Sequence, residues 1–522
     1  MLIKNFYFGS IDAKHELLNN DPDIIDRFRK SFLVPYNVDT DDFVSGESFI
    51  VTGLKGTGKT ALLRYIDLKT ESLGAKREFV LFKSDFSEED KKQLSRGVNI
   101  TEVNTDGKDI NDYENIWKWF IYRILVNMVE DKNTFYNTPE LNYFISCIKS
   151  VETNEAYHSR KILLPKLKKG AVELSADYKR IKGKISLDFE FRDNETKASF
   201  ASVLRECNKY LERLKPNGSG TPIYLFFDEL EISIGNTKQT EKDIKLIRDL
   251  IVSVSNLNLL FKKLKYNIFI IIAIRSEVLN KVGASGKEIN KIVEDFGVPL
   301  CWHQKGGNIE YHPLLQIICK RIISSTSRYR KAETHKEETY KNVWNQYIPG
   351  TIQYLPSPNY VLHQTWYRPR DVVRLFGLMQ KNYPNETYFG HNCFDGVRKD
   401  YAQKSWVELK EELSSSYSPI ELRGIEHILY YFRRNFSHGD FVRRINELKD
   451  DRSEVKVLIE RKNPTDVLSD LFRIGLIGNY YEAVDRGNRR KYFRWSFRGD
   501  DEIILDQNLV IHNGVANNFG YK

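Results

Sequence analysis

The stretch from Ser48 to Ile66, SFIVTGLKGTGKTALLRYI, restricts the fold more than any other part of the chain. Phe49, Ile50 and Val51 form a short apolar run of the kind buried in a parallel sheet. Ala61, Leu62, Leu63 and Ile66 give the next segment an apolar helical face. Between them, Gly53, Gly58, Lys59 and Thr60 stand at the spacing G-x-x-x-x-G-K-[ST]. Glycines let the backbone turn its N–H groups inward, and these groups, with the helix N-terminus, make a nest for phosphate. The expected cradle is Gly53, Leu54, Lys55, Gly56, Thr57, Gly58, Lys59, Thr60 and Ala61. In it Lys59 reaches the β- and γ-phosphates of a nucleotide, and the Thr60 hydroxyl ligates Mg²⁺.

A phosphate loop of this kind needs a second strand that delivers a carboxylate to the metal. PIYLFFDELE supplies one, an apolar run ending in Asp228 and Glu229. Asp228 is expected to hold the Mg²⁺ shell through water, and Glu229 to act as general base on the attacking water. A third apolar run, NIFIIIAIR, ends at Arg275. Ligands gather at the carboxyl ends of parallel strands, so Arg275 is a candidate γ-phosphate contact. A surface ion pair with Glu277 or Asp295 is the other reading. In WYRPRDVVRLFGLM, a helix opens at Pro369 with Arg368, Arg370 and Arg374 near its start. Cations there oppose the helix dipole; a bound phosphate is one reason for them, and solvated charge or an ion pair with Asp371 is the other reading.

Composition narrows the class. With 41% apolar and 29% charged residues the chain is globular rather than disordered, and 522 residues suggest about three domains. Five scattered cysteines, with no CxxC, exclude a zinc or disulfide framework and read as reduced core thiols. The longest apolar run, Tyr266 to Ile274, is strand-sized, and MLIKNFYFGS lacks the pattern of a signal peptide. The expectation is a cytoplasmic protein with no membrane contact. A net charge of +9 permits nucleic-acid binding without requiring it.

GLKGTGKT, LFFDE, the strand ending IAIR and the helix opening RPRD stand in one order. Together they resemble the AAA+ and STAND branch of P-loop ATPases. Closest are the bacterial STAND-like ATPases of anti-phage defence, which open with an FG…DA…E element; here it is FYFGSIDAKHE, Phe6 to Glu16. The resemblance assigns Lys59 and Thr60 to Walker A, Asp228 and Glu229 to Walker B, Arg275 to sensor 1 and Arg370 to sensor 2. It implies ATP and Mg²⁺ as cofactors and hydrolysis in the service of a molecular switch. Output would pass to an effector or regulatory protein, or to a ring of like subunits. The long stretch between the Walker motifs departs from a minimal ATPase core, so no arginine finger is transferred.

The expected fold is α/β: a P-loop NTPase parallel sheet with a helical lid and a C-terminal winged-helix domain. Residues 1–310 form the core, with an insertion at about 133–197; 311–413 form the lid, and 419–522 the winged helix and tail. In the last segment ELRGIEHILYYFRRN, GDFVRRINEL and NPTDVLSDLFRIG read as three helices, followed by a hairpin with a basic turn. Arg486, Arg489, Arg490, Lys491 and Arg494 equip that turn to meet phosphates. The third helix instead offers Asp466 and Asp470, which repel DNA. Protein docking and DNA contact therefore both stand, the second pointing to an Orc/Cdc6-like initiator or a repair ATPase.

Overall fold

The computed structural model describes residues 1–17, 21–86, 113–130, 133–155, 163–165, 167–168, 171–175, 189–192, 194–232, 237–283, 288–304, 307–325, 337–414, 416–485, 488–500 and 502–521. By packing these form two units: residues 37–55 with 59–300, and residues 1–36 with 56–58 and 301–522.

The first unit is built on five parallel strands: β1 (Ile50–Gly53), β2 (Lys76–Leu81), β3 (Ile223–Leu230), β4 (Ile268–Arg275) and β5 (Gly297–Pro299). Their order across the sheet is β5-β1-β4-β3-β2. Strands β3 and β4 are buried along almost their whole length, which is why they read as unbroken apolar runs rather than as alternating ones. Ile223, Leu225 and Phe227 of β3 join Ile268, Ile270 and Ile272 of β4 in one core. That core is completed by α2 (Glu114–Val129), through Trp117, Phe120 and Ile121, and by α5 (Thr237–Lys263), through Ile247, Leu250 and Ile251. The helical stripe of Trp117, Phe120, Ile121, Ile124 and Leu125 is thus core, as its periodicity indicates. On the other face Phe79 stacks on Phe226, and Arg64 of α1 (Lys59–Glu71) lies over the Phe79 ring.

The strand order locates the binding edge. The chain leaves β1 toward β2 at the far side, then returns through β3 and β4 before crossing to β5. Right-handed crossovers send the connection after β1 to one face and those after β3 and β4 to the other. The connections that leave adjacent strands β1 and β4 therefore diverge to opposite faces, and beyond the carboxyl ends of such a strand pair is where sheets of this kind take ligands.

Between β2 and β3 the chain also forms α3 (Pro139–Lys149) and α4 (Phe200–Leu211), with short antiparallel strands. Cys147 and Cys207 are free thiols buried where these helices meet. The lysine-rich stretch 176–188, which includes most of the expected strand KISLDFEF, lies outside the described residues.

In the second unit the chain is helical through α6 (Pro313–Ser325), α7 (Pro369–Asn382) and α8 (His391–Leu413). Residues 1–36, placed with the 1–310 core by the sequence reading, pack here instead. Phe6 and Phe8 are the reason: they meet Tyr347, Phe376 and Phe389 in an aromatic cluster. Beyond Ser418, whose side chain and Glu421 form a capping box, come α9 (Pro419–Leu429), α10 (His438–Leu448), α11 (Ser453–Arg461) and α12 (Pro464–Arg473). Helix α11 is a correction to the expected three. It buries only Val455 and Leu458 and has no side-chain cap, so its sequence carries a thin helical signal. A four-stranded sheet follows, made of β6 (Asn435–Phe436), β7 (Ile477–Asp485), β8 (Asn488–Arg494) and β9 (Asn508–Ile511) in the order β6-β9-β7-β8. The tail strand β9 thus lies inside the sheet. Among the described residues no helix is long and apolar enough to cross a membrane.

Candidate functional site

Strand β1 is buried at all four positions and ends at Gly53, which stands in register with Arg275 of β4. The turn that follows takes φ = +84° at Gly56 and +95° at Gly58, the left-handed region where a side chain is strained. Gly56 has a second reason to lack a side chain. A Cβ there would stand 3.3 Å from the Arg370 Cβ and 3.4 Å from the Arg368 Cδ. Residues 56–58 group with the second unit, where Trp302 Nε1 donates to the Thr57 carbonyl at 2.8 Å. Helix α1 begins at Lys59, directly after the turn. The Lys59 ammonium is buried and donates to the carbonyls of Gly53 (2.8 Å) and Leu54 (2.9 Å). Within the first unit, a helix start and a buried ammonium thus lie at the carboxyl end of β1, donors of the kind that suit a polyphosphate.

Strand β3 brings the carboxylates. Phe227 pairs with Ile272 and Leu230 with Ile274, so Asp228 and Glu229 together oppose the single residue Ala273. This bulge puts Glu229 at φ = +59°, a conformation that costs a side-chain-bearing residue about 1–3 kcal/mol. Asp228 is buried; its Oδ2 accepts from Thr60 Oγ1 at 2.6 Å and its Oδ1 from the Glu229 N–H at 2.7 Å. Burial pushes its pKa up, against the pull of those two donors and of the Lys59 charge. A buried carboxylate in hydrogen-bond contact with an alcohol is a fitting partial donor set for Mg²⁺, which takes only one or two carboxylates and fills its shell with phosphate oxygens and water. No cluster of three or more His, Cys, Asp or Glu side chains that could hold a metal ion occurs among the described residues. Glu229 Oε2 accepts from Ser84 Oγ at 2.6 Å. Ser84 lies in the short helix Phe82–Asp85 that follows β2, at the same sheet edge.

The candidate sensors are present but engaged. Arg275 does reach the carboxyl edge of the sheet, yet it pairs with Glu231 rather than with Glu277 or Asp295. Lys83 joins the same carboxylate at 2.8 Å. Burial alone would raise the Glu231 pKa, but Arg275, Lys83 and the nearby Lys55 lower it. In the second unit the Arg370 N–H points to the Gly56 carbonyl at 3.4 Å, and its guanidinium binds Glu408 at 2.7 Å. Arg374 shares Glu408, and Arg368 pairs with Glu412 at 3.3 Å. The ion pair with Asp371 offered by the sequence is present, from Arg374 at 3.7 Å, and Glu408 and Glu412 of α8 supply the other carboxylates. Burial tends to raise the Glu408 pKa, but Arg374 and Arg370 outweigh it and hold it at about 2.

Motif reading missed Ser84, Lys83, Glu231 and Trp302. The first three sit at or just beyond strand ends, the only sequence signal that marks them. In the C-terminal segment Asp470 also differs from expectation. It accepts from Tyr417 Oη at 2.7 Å and pairs with Lys462 and Arg473, so its charge is neutralised within the fold. Lys491 is exposed on β8, Arg486 lies outside the described residues, and the side chains of Arg489 and Arg490 are not described. Compared with known proteins, the chain matches no protein-family model and no curated protein sequence.

Proposed function

We propose that the chain is a P-loop ATPase of the AAA+/STAND kind, binding Mg²⁺–ATP at Gly53–Ala61 and hydrolysing it slowly as a molecular switch. The observation that carries this reading is the 2.6 Å hydrogen bond between Thr60 and Asp228, 168 residues apart in sequence. Two motifs chosen independently for one metal thus lie in contact. Bound Mg²⁺ would screen phosphate charge between these two residues. Lys59 would exchange its two carbonyl partners for phosphate oxygens, and Glu229 would draw the proton from an attacking water. The Ser84 hydrogen bond steadies the Glu229 carboxylate against the strain of its backbone.

Arg275 and Arg370 are the proposed γ-phosphate sensors. Each now holds a protein carboxylate, so sensing means a change of ion-pair partner, which supports a switch rather than a fixed catalytic scaffold. Helices α9–α12 and the β7–β8 hairpin are read as the winged-helix domain, with α11 as an added helix. The setting favoured by the resemblance is cytoplasmic anti-phage defence, with output to a protein partner or to a ring of like subunits. Phosphate release by the purified chain tests the proposal. Glu229→Gln should bind ATP normally yet lose about 10²-fold in rate, as expected for loss of a general base. An unchanged rate would remove Glu229 from catalysis.

A second reading, DNA binding by the winged helix, is favoured by one observation. Of the two acids that weighed against it, Asp470 is neutralised by Lys462 and Arg473, while Asp466 stays exposed.

A further inference from the structure

The carboxyl ends of three neighbouring strands each present one charged group. Lys83 follows β2 by two residues, Glu231 follows β3 by one, and Arg275 ends β4. Glu231 is the only carboxylate paired with either cation among the described residues. Arg275 itself stands in register with Gly53, the first residue of the phosphate loop, and Lys55 of that loop adds to the field around Glu231. Three cations therefore surround one carboxylate beside the loop.

This arrangement adds little to the stability of the fold. Lys83 keeps 64% of its side-chain surface exposed and Arg275 keeps 33%, and ion pairs so open to water are weak. As a charge arrangement it has a clearer meaning. A carboxylate offers one negative charge and two oxygens, whereas a terminal phosphate offers more charge and three oxygens. Guanidinium and ammonium groups prefer the phosphate. A nucleoside diphosphate has no terminal group in that place and leaves the carboxylate undisturbed.

We infer that Glu231 is a specificity-determining residue of the nucleotide site, an internal competitor for the γ-phosphate that holds Arg275 and Lys83 until a triphosphate displaces it. The inference rests on the proposed nucleotide site. It adds that discrimination between triphosphate and diphosphate is set by a residue outside both Walker motifs. Glu231 touches neither loop nor metal in this role; it acts through Arg275 and Lys83.

The test is calorimetric titration of the full chain with Mg²⁺ plus the β,γ-imido analogue of ATP, and separately with Mg²⁺ plus ADP. In Glu231→Gln the preference for the analogue over ADP should rise about tenfold, as expected for relief of one charge-assisted contact, with ADP affinity unchanged. Glu231→Asp, which keeps the charge, should behave as wild type. Arg275→Ala combined with Glu231→Gln should erase the gain. Lys83→Ala, at an exposed side chain, should lower the preference about twofold and gives a reading even if the Glu231 variants fail to fold. An unchanged preference in Glu231→Gln and in Lys83→Ala, or equal weakening of both nucleotides, would overturn the inference while leaving the ATPase reading intact. If wild type bound neither nucleotide, or bound both without need of Lys59, the underlying reading would fail and this one with it.

Discussion

Lys59 does two jobs with one ammonium. It donates to the Gly53 and Leu54 carbonyls, and in the proposed complex it turns to the phosphates. Lys59→Ala should therefore weaken nucleotide binding about 10²-fold, since a charge-assisted contact contributes about 1.5–3 kcal/mol. Nucleotide retention by the purified variant measures this. Retention equal to wild type would refute the phosphate-loop assignment at its first step. Lys59 was legible because its spacing from Gly53 and Gly58 is local. Glu231 was not, because its meaning depends on Arg275 and Lys83, which reach it from other strands.

At the scale of elements, the bulge in β3 stores strain where chemistry is expected. Glu229→Gly should remove the left-handed penalty and stabilise the protein by about 1 kcal/mol while abolishing hydrolysis. Denaturant unfolding of this variant beside Glu229→Gln separates the two effects, because only the glycine relieves the backbone. The α7–α8 pair makes a second element-scale prediction. With its pKa depressed to about 2 from a usual 4.5, Glu408 contributes stability that is full above about pH 4.5. That contribution is lost as the pH falls from there through about 2. The shift corresponds to about 3 kcal/mol by linkage. Asp371, whose carboxyl burial pushes up, works in the opposite sense, so the comparison must be with Glu408→Gln. The stability gap between wild type and Glu408→Gln should narrow between pH 4.5 and 2; a gap constant with pH would show the ion network to be idle. That network was invisible in sequence. Glu408 follows Arg370 by 38 positions, and only the packing of two helices makes them partners.

For the whole molecule, protein docking and DNA contact at the C-terminal domain are separated by a direct measurement. Filter binding of duplex DNA in a salt series should give weak, flat retention if the C-terminal domain docks protein. A steep loss with rising salt would favour the DNA reading, because released counterions follow the number of phosphates neutralised.

The amino-acid sequence by itself determined the parallel-strand core, the glycine-rich turn between strand and helix, and the acidic strand end. Burial on both faces leaves unbroken apolar runs, and a glycine turn between strand and helix has few other uses. Tertiary structure alone decided that residues 1–36 pack with 301–522, that β9 lies inside the C-terminal sheet, and that Arg275 and Arg370 each already hold a carboxylate. These are pairings between distant positions, and neither periodicity nor local turn chemistry carries information about them.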